Sequence, residues 1–467
     1  MAARALLFNP PTGNYIRDDR CQVPADAISS SLRAPIDLLY YATILQERGY
    51  ECVLRDYSAE GSGRDGYLAD LERLRPAIVV ASVTTPTLRD DLRCIEEAKE
   101  RDPAVRTIAK GAHFVVADRE VMAACPSLDI GIRNEAEKAI QEIADGMPLA
   151  DVLGITWRRD GEIVRNADRP QIRDLDWLPV PDRRLLNNAL YVRPDTGEPQ
   201  TTVLTSHGCP KDCIFCLVKV VTGRPIGMRS PMSIVDEGES CVRGHGITNF
   251  YFRADTFTWY KPWVSEICDL IIARGLKVNW VCNSRADTMN DVMLAKMKAA
   301  GCWMIGLGIE SGSAEILRRI KKGITLDEAR NAARLIRKHG IRTYNFFILG
   351  FPWDDERTIR ETVDFAIELD SDFVEFHTAY PFLGTEFHDI AAKEGLFEPA
   401  RLQGTDVMTS PVRTRHLSAE RLHQLRAAAL RRYYLRPSRI LKTLGYIDSP
   451  KMFMNYARKG MRVLAGR

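Results

Sequence analysis

The amino-acid sequence predicts an α/β fold in three parts. These are a doubly wound, Rossmann-like parallel sheet, a second series of strand–helix units, and a helical C-terminal region. Short apolar runs alternate with amphipathic segments of helical period in residues 3–146 and again in residues 198–390. Such alternation is typical of parallel sheets covered by helices. A connector rich in proline and aspartate, residues 169–182, separates the two stretches.

Five apolar runs in the first stretch predict the buried strands of its sheet. They are Ala5–Phe8, Glu51–Arg55, Ala77–Ala81, Arg106–Ala109 and Leu128–Ile132. Amphipathic segments such as Pro35–Arg48 and Arg89–Arg101 lie between these runs and predict helices. Ligands of doubly wound sheets bind beyond the carboxyl ends of the strands, so the loops at those ends are the candidate binding loops.

Residues 154–164 predict a β-hairpin, because two strand-like runs flank the turn pair Asp160-Gly161. The connector after this hairpin marks the main domain boundary. We therefore divide the chain into residues 1–150, a hairpin and linker over 151–197, a second domain over 198–400, and a basic helical region over 401–467.

Six further strand-like runs predict the second domain. They are Thr202–Thr205, Asn249–Phe252, Lys277–Cys282, Met304–Ile309, Arg342–Leu349 and Phe373–Thr378. Six strand–helix units suit a partial (β/α)6 barrel, a fold whose chemistry lies at the carboxyl ends of its strands.

The composition is that of a globular protein, with 45% hydrophobic and 27% charged residues. No run of about 18 apolar residues occurs, and the N-terminus leads into a strand and not into a signal peptide. Eleven cysteines, three of them close together, favour a reducing cytoplasm over a disulfide framework. Among the scattered cysteines, Cys21 stands out because it lies in a long loop.

The net charge of +3 is unevenly distributed along the chain. Residues 411–467 contain 14 Lys and Arg but only Glu420 and Asp448 as acids, a balance of +12. A basic tail with interleaved apolar residues suits an anionic membrane surface or an acidic partner. It suits a solvated helical face equally, so both interpretations stay open.

Three cysteines in one short run, Cys209, Cys213 and Cys216, form the strongest chemical motif. Their spacing is CxxxCxxC, and Phe215 precedes the last of them. Thiolates are the usual ligands of iron–sulfur clusters, and most clusters take four. Three ligands leave one iron of a [4Fe-4S] cluster open to a substrate or cofactor. Zinc is the alternative, but it would need a fourth ligand at short range, and His207 lies too near Cys209.

Together with Phe215, this motif closely resembles that of the radical S-adenosylmethionine (SAM) enzymes. The resemblance implies that the open iron binds the amino and carboxylate groups of SAM. It implies further that reduction of the cluster cleaves SAM to methionine and a 5′-deoxyadenosyl radical. An electron donor such as flavodoxin or ferredoxin would supply the electron.

The ends of the next two predicted strands resemble parts of the SAM pocket in that family. Asp255 is an exposed acid after one strand, although Ala254 stands where relatives have a first acid. Asn283 and Arg285 end the following strand, where the guanidinium group would clamp the SAM carboxylate with two parallel hydrogen bonds.

The run Gly306-Leu-Gly-Ile-Glu-Ser-Gly312 resembles the GIESG strand end of the same family. The resemblance implies that Glu310 and Ser311 offer acceptors to the ammonium group or the ribose hydroxyls of SAM. Glycines let the backbone approach the ligand. After the next strand, relatives have Gly-Glu-Thr where this chain has Trp353-Asp-Asp, a departure that would shape substrate choice.

The first domain resembles the cobalamin-binding domain that precedes many radical SAM cores. Polar and glycine residues after its third, fourth and fifth strands would pack against the nucleotide tail of cobalamin. The candidates are Ser82, Thr84, Thr85, Gly111, His113 and Glu135. The DxHxxG histidine that replaces the lower axial base in some relatives is missing, since loop 9–34 contains no histidine. That long loop would cover the corrin face or close the substrate cavity, and the alternative is a domain that has lost the cofactor.

Taken together, the resemblances imply a cobalamin-dependent methyltransferase that acts on an unactivated carbon. Radical cyclisation or rearrangement, and transfer of the 3-amino-3-carboxypropyl group of SAM, are the alternatives of the same architecture. A non-catalytic sensor that uses cobalamin and the cluster as reporters is a third, and the open-iron motif argues against it. The sequence identifies no catalytic side chain beyond the cofactor ligands.

Aromatic residues near the predicted strand ends favour an apolar or lipid-like small-molecule substrate, although such residues are also ordinary barrel core. They are Phe257, Trp259, Trp353, Phe376 and Tyr380. Peripheral membrane contact through the basic C-terminus would suit such a substrate. No nucleic-acid partner is expected, and the sequence does not determine the oligomeric state.

Overall fold

Two parallel sheets covered by helices, followed by a set of C-terminal helices, form this protein. This confirms the predicted α/β fold class. The computed structural model describes residues 2–18, 21–24, 32–402 and 404–465. All eleven predicted strands overlap strands of the structure, and the two predicted helices correspond to helices that begin at Ile36 and Leu88.

Seventeen strands and seventeen α-helices occur in the described part of the chain. The strands are β1 (Arg4–Asn9), β2 (Tyr15–Asp18), β3 (Cys21–Pro24), β4 (Glu51–Asp56), β5 (Ile78–Ser82), β6 (Arg106–Lys110), β7 (Ile130–Ile132), β8 (Ile155–Arg159), β9 (Glu162–Arg165), β10 (Gln200–Leu204), β11 (Ser206–His207), β12 (Gly227–Met228), β13 (Asn249–Arg253), β14 (Asn279–Ser284), β15 (Cys302–Glu310), β16 (Arg342–Leu349) and β17 (Phe373–Thr378). The helices are α1 (Ile36–Gln46), α2 (Tyr57–Glu60), α3 (Gly63–Leu74), α4 (Leu88–Arg101), α5 (Ala112–Ala124), α6 (Ala136–Ala144), α7 (Val218–Val221), α8 (Pro231–His245), α9 (Lys261–Ala273), α10 (Asp291–Ala299), α11 (Ala314–Arg319), α12 (Leu326–Lys338), α13 (Glu356–Leu369), α14 (Glu386–Lys393), α15 (Ala419–Tyr434), α16 (Pro437–Leu444) and α17 (Pro450–Leu464).

The first sheet has seven strands in the order β4-β1-β5-β6-β7-β8-β9. Its first five strands are parallel, and apolar clusters bury both faces. The predicted hairpin forms β8 and β9 and extends this sheet in antiparallel sense, with Ile130 opposite Trp157. The sequence did not predict that pairing, because strand patterns carry no information about the partner strand.

The second sheet has six parallel strands in sequential order, β10-β13-β14-β15-β16-β17. Sequential parallel strands with helices between them form a partial barrel, and their outward faces bury the largest apolar cluster of the protein. The carboxyl ends of all six strands lie at one edge, so the loops there converge on one site.

A buried ion cluster joins the linker, the barrel and the first domain. Arg183 donates to Glu237 at 2.6 Å, and Arg229 forms a second ion pair with the same carboxylate. Arg229 also donates to the Tyr40 hydroxyl of the first domain at 3.3 Å. Burial alone would raise the pKa of Glu237, but the two arginines outweigh it and lower the pKa. The carboxylate therefore stays charged in the interior.

A second bridge holds the carboxyl ends of the two sheets against each other. Asp37 accepts from Lys110, at the end of β6, at 3.0 Å, and it also pairs with Arg253, at the end of β13. The Lys110 side chain is nearly inaccessible to solvent. Since Asp37 lies on the first turn of α1, one carboxylate links both domains.

The C-terminal helices pack against the barrel from the side and from below. The hydroxyl of Tyr434 on α15 donates to Val374 O at 2.7 Å, and Arg439 on α16 donates to Ser371 O at 3.0 Å. Both acceptors lie at the amino end of β17, so α16 and α17 sit at the base of the barrel. None of the helices in the described ranges is long and apolar enough to cross a bilayer.

Replacing Glu237 by alanine should destabilise the fold. Because the change leaves Arg183 and Arg229 buried without a counter-ion, we expect the free energy of unfolding to fall by about 3–5 kcal/mol. Glu386→Ala, which breaks an exposed ion pair with Lys321 (2.7 Å), is the control and should cost less than about 1 kcal/mol. Urea denaturation followed by circular dichroism measures both, and equal effects would contradict a special role for the cluster.

Candidate active site

A cavity of about 320 Å³ lies in the bore of the barrel, next to the cysteine loop. Its wall contains Phe215, Cys216, Asn283 and Glu310, four of the residues that the sequence analysis singled out. The other wall residues are mostly apolar and aromatic. Volume and lining are those of a site for a small organic ligand.

The cysteine loop follows β10 and is fastened at several points. The Gly208 backbone N–H donates to the Asp255 carboxylate at 2.6 Å, and Cys209 N donates to Gly223 O at 3.2 Å. Gly208 has φ +90°, and a β-carbon there would lie 2.0 Å from Pro225 O, so only glycine fits. Asp255, which we expected as an exposed acid, is instead half-buried and positions the loop.

The three thiols lie close enough to influence one another electrostatically. Burial raises the pKa of Cys209, and it raises that of Cys216 to about 12 with added contributions from Cys213 and Cys209. No three Cys, His, Asp or Glu side chains among the described residues converge on a single metal ion. A [4Fe-4S] cluster binds each thiolate through a different iron and deprotonates it on binding. Three neighbouring thiols on one glycine-anchored loop therefore fit a cluster better than a mononuclear metal.

Glu310 is the acidic residue in the described wall of this cavity. It ends β15 with φ +74°, and its Oε1 accepts from Lys322 Nζ at 2.7 Å. Burial by itself lowers the pKa of Lys322, but Glu310 and Cys213 raise it, with a net upward shift, so the lysine stays charged. A β-carbon at Gly308 would lie 2.5 Å from Glu310 Oε1 and 2.9 Å from Lys322 Nζ. A side chain at this position would displace one or both ends of this ion pair.

Asn283 lies on the same wall, and its Nδ2 donates to the Tyr251 hydroxyl at 3.1 Å. A β-carbon at Gly306 would lie 2.4 Å from Asn283 Oδ1. The two glycines of the Gly-Leu-Gly run therefore make room for polar wall groups. This is a cradle of the kind that a bound SAM molecule requires, and these residues fit that role.

Two predicted SAM ligands are turned toward the protein itself. The Arg285 guanidinium pairs with Asp287 at 2.9 Å and donates to Lys322 O at 2.9 Å. Ser311 Oγ accepts from Ser313 N and bonds to Thr362 Oγ1, both at 3.1 Å, and it is absent from the cavity wall. Their predicted contacts with SAM stay predictions, and the packing favours Glu310 over Ser311.

The sequence analysis missed three polar residues of this site, two that line the wall and one that pairs with a wall residue. Lys322 pairs with Glu310, while His377 and Thr378 line the bore, and His377 Nδ1 and Thr378 Oγ1 are buried without a hydrogen-bond partner. Burial lowers the pKa of His377, so its ring is neutral near pH 7. The position of His377 at the end of a predicted strand was the available signal.

Of the five aromatic residues that favoured an apolar substrate, only Tyr380 lines the bore. Phe257 and Phe376 belong to the apolar core on the outer side of the strands. Trp353 lies against Arg319 (5.3 Å from the ring centre), outside the cavity. Strand-end position alone could not distinguish the two faces, because side chains alternate along a strand.

The predicted cobalamin residues lie at the carboxyl edge of the first sheet. Ser82, Thr84 and Gly111 are buried there, and a β-carbon at Gly111 would lie 2.3 Å from Val83 O. His113 Nδ1 is buried without a hydrogen-bond partner, and burial lowers the pKa of this histidine. Small side chains and an unpaired ring nitrogen fit a nucleotide tail.

Two further candidates have local partners. Glu135 Oε1 accepts from Ile172 N at 3.3 Å and lies 3.9 Å from His207 Nε2. This side chain therefore faces the connector and β11, the short strand before the cysteine loop. Thr85 begins a single 3-10 turn before α4. The roles of both in binding cobalamin stay predictions.

The hairpin β2–β3 covers this edge of the first sheet. Arg17 forms an ion pair with Asp91 at 2.8 Å and donates to Ser82 O at 2.9 Å. The described residues leave a cavity of about 40 Å³ beneath it, lined on the barrel side by Tyr251 and Arg253. A corrin ring is larger than this cavity. Cys21 begins β3, and its side chain lies outside the described residues.

Comparison with known protein families agrees with this geometry. Residues 203–366 match the radical SAM superfamily, and residues 31–144 match the B12 binding domain. An uncharacterized methyltransferase of Pyrococcus horikoshii is 28% identical over 445 residues, 94% of each chain. An anaerobic magnesium-protoporphyrin IX monomethyl ester cyclase of Rubrivivax gelatinosus is 27% identical over 78% of this chain and 67% of its own. The hopanoid C-3 methylase of Methylococcus capsulatus is 25% identical over 75% and 67%, respectively.

Two solved structures share the fold. The radical SAM methyltransferase TsrM from Kitasatospora setae superposes with a TM-score of 0.69 at 20% identity, over 84% of this chain and 76% of its own. The cobalamin-dependent radical SAM enzyme OxsB gives a TM-score of 0.73 at 16% identity, over 100% and 72%. The chain thus combines a B12 binding domain with a domain of the radical SAM superfamily, the two domains that its sequence motifs predict.

Proposed function

We propose that this enzyme uses SAM and cobalamin to methylate an unactivated carbon of an apolar small molecule. One observation carries this proposal: the bore cavity and the crevice of the first domain share Ile16, Arg33 and Tyr251 as wall residues. A substrate in the bore would therefore lie between the cysteine loop and the domain that binds cobalamin.

The cofactors supply the chemistry, and the chain supplies their placement. When bound, the reduced cluster with SAM would supply radical abstraction of hydrogen from the substrate, and cobalamin would supply the methyl group. We assign the cluster to Cys209, Cys213 and Cys216. Glu310, held by Lys322, would accept from the SAM ammonium group, and Asn283 would bond its polar edge. The apolar bore would exclude water from the reacting carbon.

The wall of the bore supports an apolar or lipid-like substrate that carries a polar group. Phe346, Ile348 and Phe382 provide apolar surface, and the polar atoms without partners belong to His377 and Thr378. A buried polar atom without a partner costs free energy, so a ligand that bonds these two atoms gains affinity. We infer that the polar group of the substrate lies against β17.

The electron donor, the cell compartment and a membrane contact complete this proposal. A flavodoxin or ferredoxin would donate the electron, and the oxygen-sensitive chemistry and the free cysteines support a reducing cytoplasm. The basic, amphipathic C-terminal helices support peripheral contact with an anionic membrane. Methylation is favoured over cyclisation and aminocarboxypropyl transfer, because several of the relatives are methyltransferases or methylases.

Isotope-labelled SAM tests the proposed reaction. The reconstituted enzyme is incubated anaerobically with methyl-deuterated SAM, hydroxocobalamin, a reductant of low potential and extracts of apolar metabolites, and products are analysed by mass spectrometry. We expect a product that gains one labelled methyl group, together with 5′-deoxyadenosine. A product that has lost hydrogen without gaining label would indicate cyclisation. A product that gains an aminocarboxypropyl group but no deuterium, together with deuterated 5′-methylthioadenosine, would indicate aminocarboxypropyl transfer.

Replacing Cys213 by alanine should abolish SAM cleavage. Two thiolates hold a [4Fe-4S] cluster poorly, so we expect iron content and 5′-deoxyadenosine formation to fall at least about tenfold. Cys52→Ala in β4, far from the barrel, is the matched control and should keep both. Full iron content in the Cys213 variant would overturn the ligand assignment.

Glu310→Gln and Ser311→Ala should separate two neighbouring candidates. Glu310 faces the bore and Ser311 does not, so we expect the Gln variant to raise the KM for SAM about tenfold or more, at unchanged cluster content. The Ser311 variant should keep its KM for SAM and lose only stability. Equal increases in KM would show that both side chains contact SAM.

A further inference from the structure

A second cavity, of about 420 Å³, lies at the base of the barrel, opposite the cysteine loop. The amino ends of β15, β16 and β17 and the helices α16 and α17 enclose it. We call this cavity the basal chamber. Its wall includes Phe373, Tyr434, Ile447 and Tyr456. Apolar and aromatic side chains predominate in the wall, and no step of the proposed reaction uses this space.

The basal chamber adjoins the bore. Pro194, Trp303, Met304 and Tyr344 belong to the walls of both cavities. Trp303 and Met304 are half-buried, although they lie at the start of a central strand. The bore therefore has an apolar neighbour on the side away from the cofactors, separated from it by side chains and not by the backbone of the sheet.

The outer rim of the basal chamber is exposed to solvent. Six residues both line the chamber and keep between 42% and 62% of their surface exposed: Leu435, Ile440, Leu444, Phe453, Met461 and Leu464. Of the fifteen residues of α17, only Met452 and Val463 are buried. Leu441 and Met454 extend the exposed apolar surface beside the rim, at 69% and 52%. A contiguous apolar patch of this kind marks an interaction surface.

The chain segment that forms this rim is strongly basic. Residues 436–465 contain seven Lys and Arg and a single acid, Asp448. Lys451, Arg458 and Arg462 are exposed beside the apolar rim. Inside the chamber, burial lowers the pKa of Lys459 to about 8, which reflects how apolar the interior is. Apolar residues ringed by cations complement an anionic lipid surface, whose headgroups attract the cations while its chains accept the apolar side chains.

We propose that α16 and α17 dock on an anionic membrane, and that the basal chamber receives the apolar chain of a membrane lipid on its way to the bore. The lipid enters between the exposed rim residues and passes Trp303 and Tyr344. Its reacting carbon then lies in the bore. Substrate and cofactors then approach from opposite ends of the barrel. The catalytic end of this route and the membrane contact rest on the proposed function, and the docking surface assigns that contact to named residues; the chamber as a lipid site does not depend on it.

Vesicle flotation tests the docking surface with the reconstituted full-length enzyme. The probe is a vesicle of phosphatidylcholine with about 30% phosphatidylglycerol, compared with phosphatidylcholine alone. The variant Leu441→Asp with Met454→Asp changes exposed residues that do not line the chamber. The control, Ile272→Asp with Val292→Asp, changes residues of similar exposure (47% and 68%) on the outside of the barrel.

We expect the wild type and the control to float with anionic vesicles, and the Leu441/Met454 variant to bind at least about tenfold more weakly. Reductive cleavage of SAM without lipid should be unchanged in all three proteins. Failure of the wild type to bind, or equal binding by both variants, would overturn the docking surface. Loss of SAM cleavage in the wild type would instead contradict the proposed function.

Fluorescence of cis-parinaric acid, a polyene fatty acid, tests the chamber itself. Ala457→Trp places an indole in the chamber wall, and Ala465→Trp adds the same group at the exposed end of α17. We expect the Ala457 variant to weaken binding of the probe at least about fivefold while it still binds vesicles. Unchanged binding of the probe in that variant, or equal loss in both, would overturn the chamber as a lipid site.

Discussion

One carboxylate, that of Asp37, fixes the relation between the two sheets. It pairs with Lys110 at the end of a strand in the first sheet and with Arg253 at the end of a strand in the barrel. The carboxyl ends of parallel strands are where both folds place their ligands. Because one carboxylate pairs with a cation from each edge, the bridge brings the two edges together and makes one site out of two.

The bore depends on this arrangement at each of its sides. Tyr251 lies in the wall toward the first domain, Cys216 in the wall toward the cofactor loop, and Trp303 in the wall toward the basal chamber. Cobalamin, SAM and the substrate would thus each approach a reacting carbon in the bore from a different side. Glycine at positions 306 and 308 gives the polar wall groups the room that they need, at the cost of backbone entropy.

The hairpin β2–β3 covers the crevice of the first domain. Arg17 bonds Asp91 and Ser82 O, so the hairpin β2–β3 satisfies polar groups that a cofactor would otherwise meet. A charged pair of this kind exchanges one set of partners for another at modest net free energy, provided that the incoming ligand bonds the same groups. A ligand that enters this crevice therefore has to replace the partners that Arg17 supplies.

Residue patterns along the chain were enough to predict the fold class, all eleven strands, the cysteine loop and the two family domains. These features depend on local periodicity and on residue spacing, which neighbouring residues encode. Packing between distant segments was needed to see that the hairpin joins the first sheet, that Ser311 turns away from the bore, and that Lys322 and His377 belong to the site. It also placed the basic tail under the barrel. Those features depend on which distant elements pack together, and a pattern of residues along one chain segment does not contain its partner.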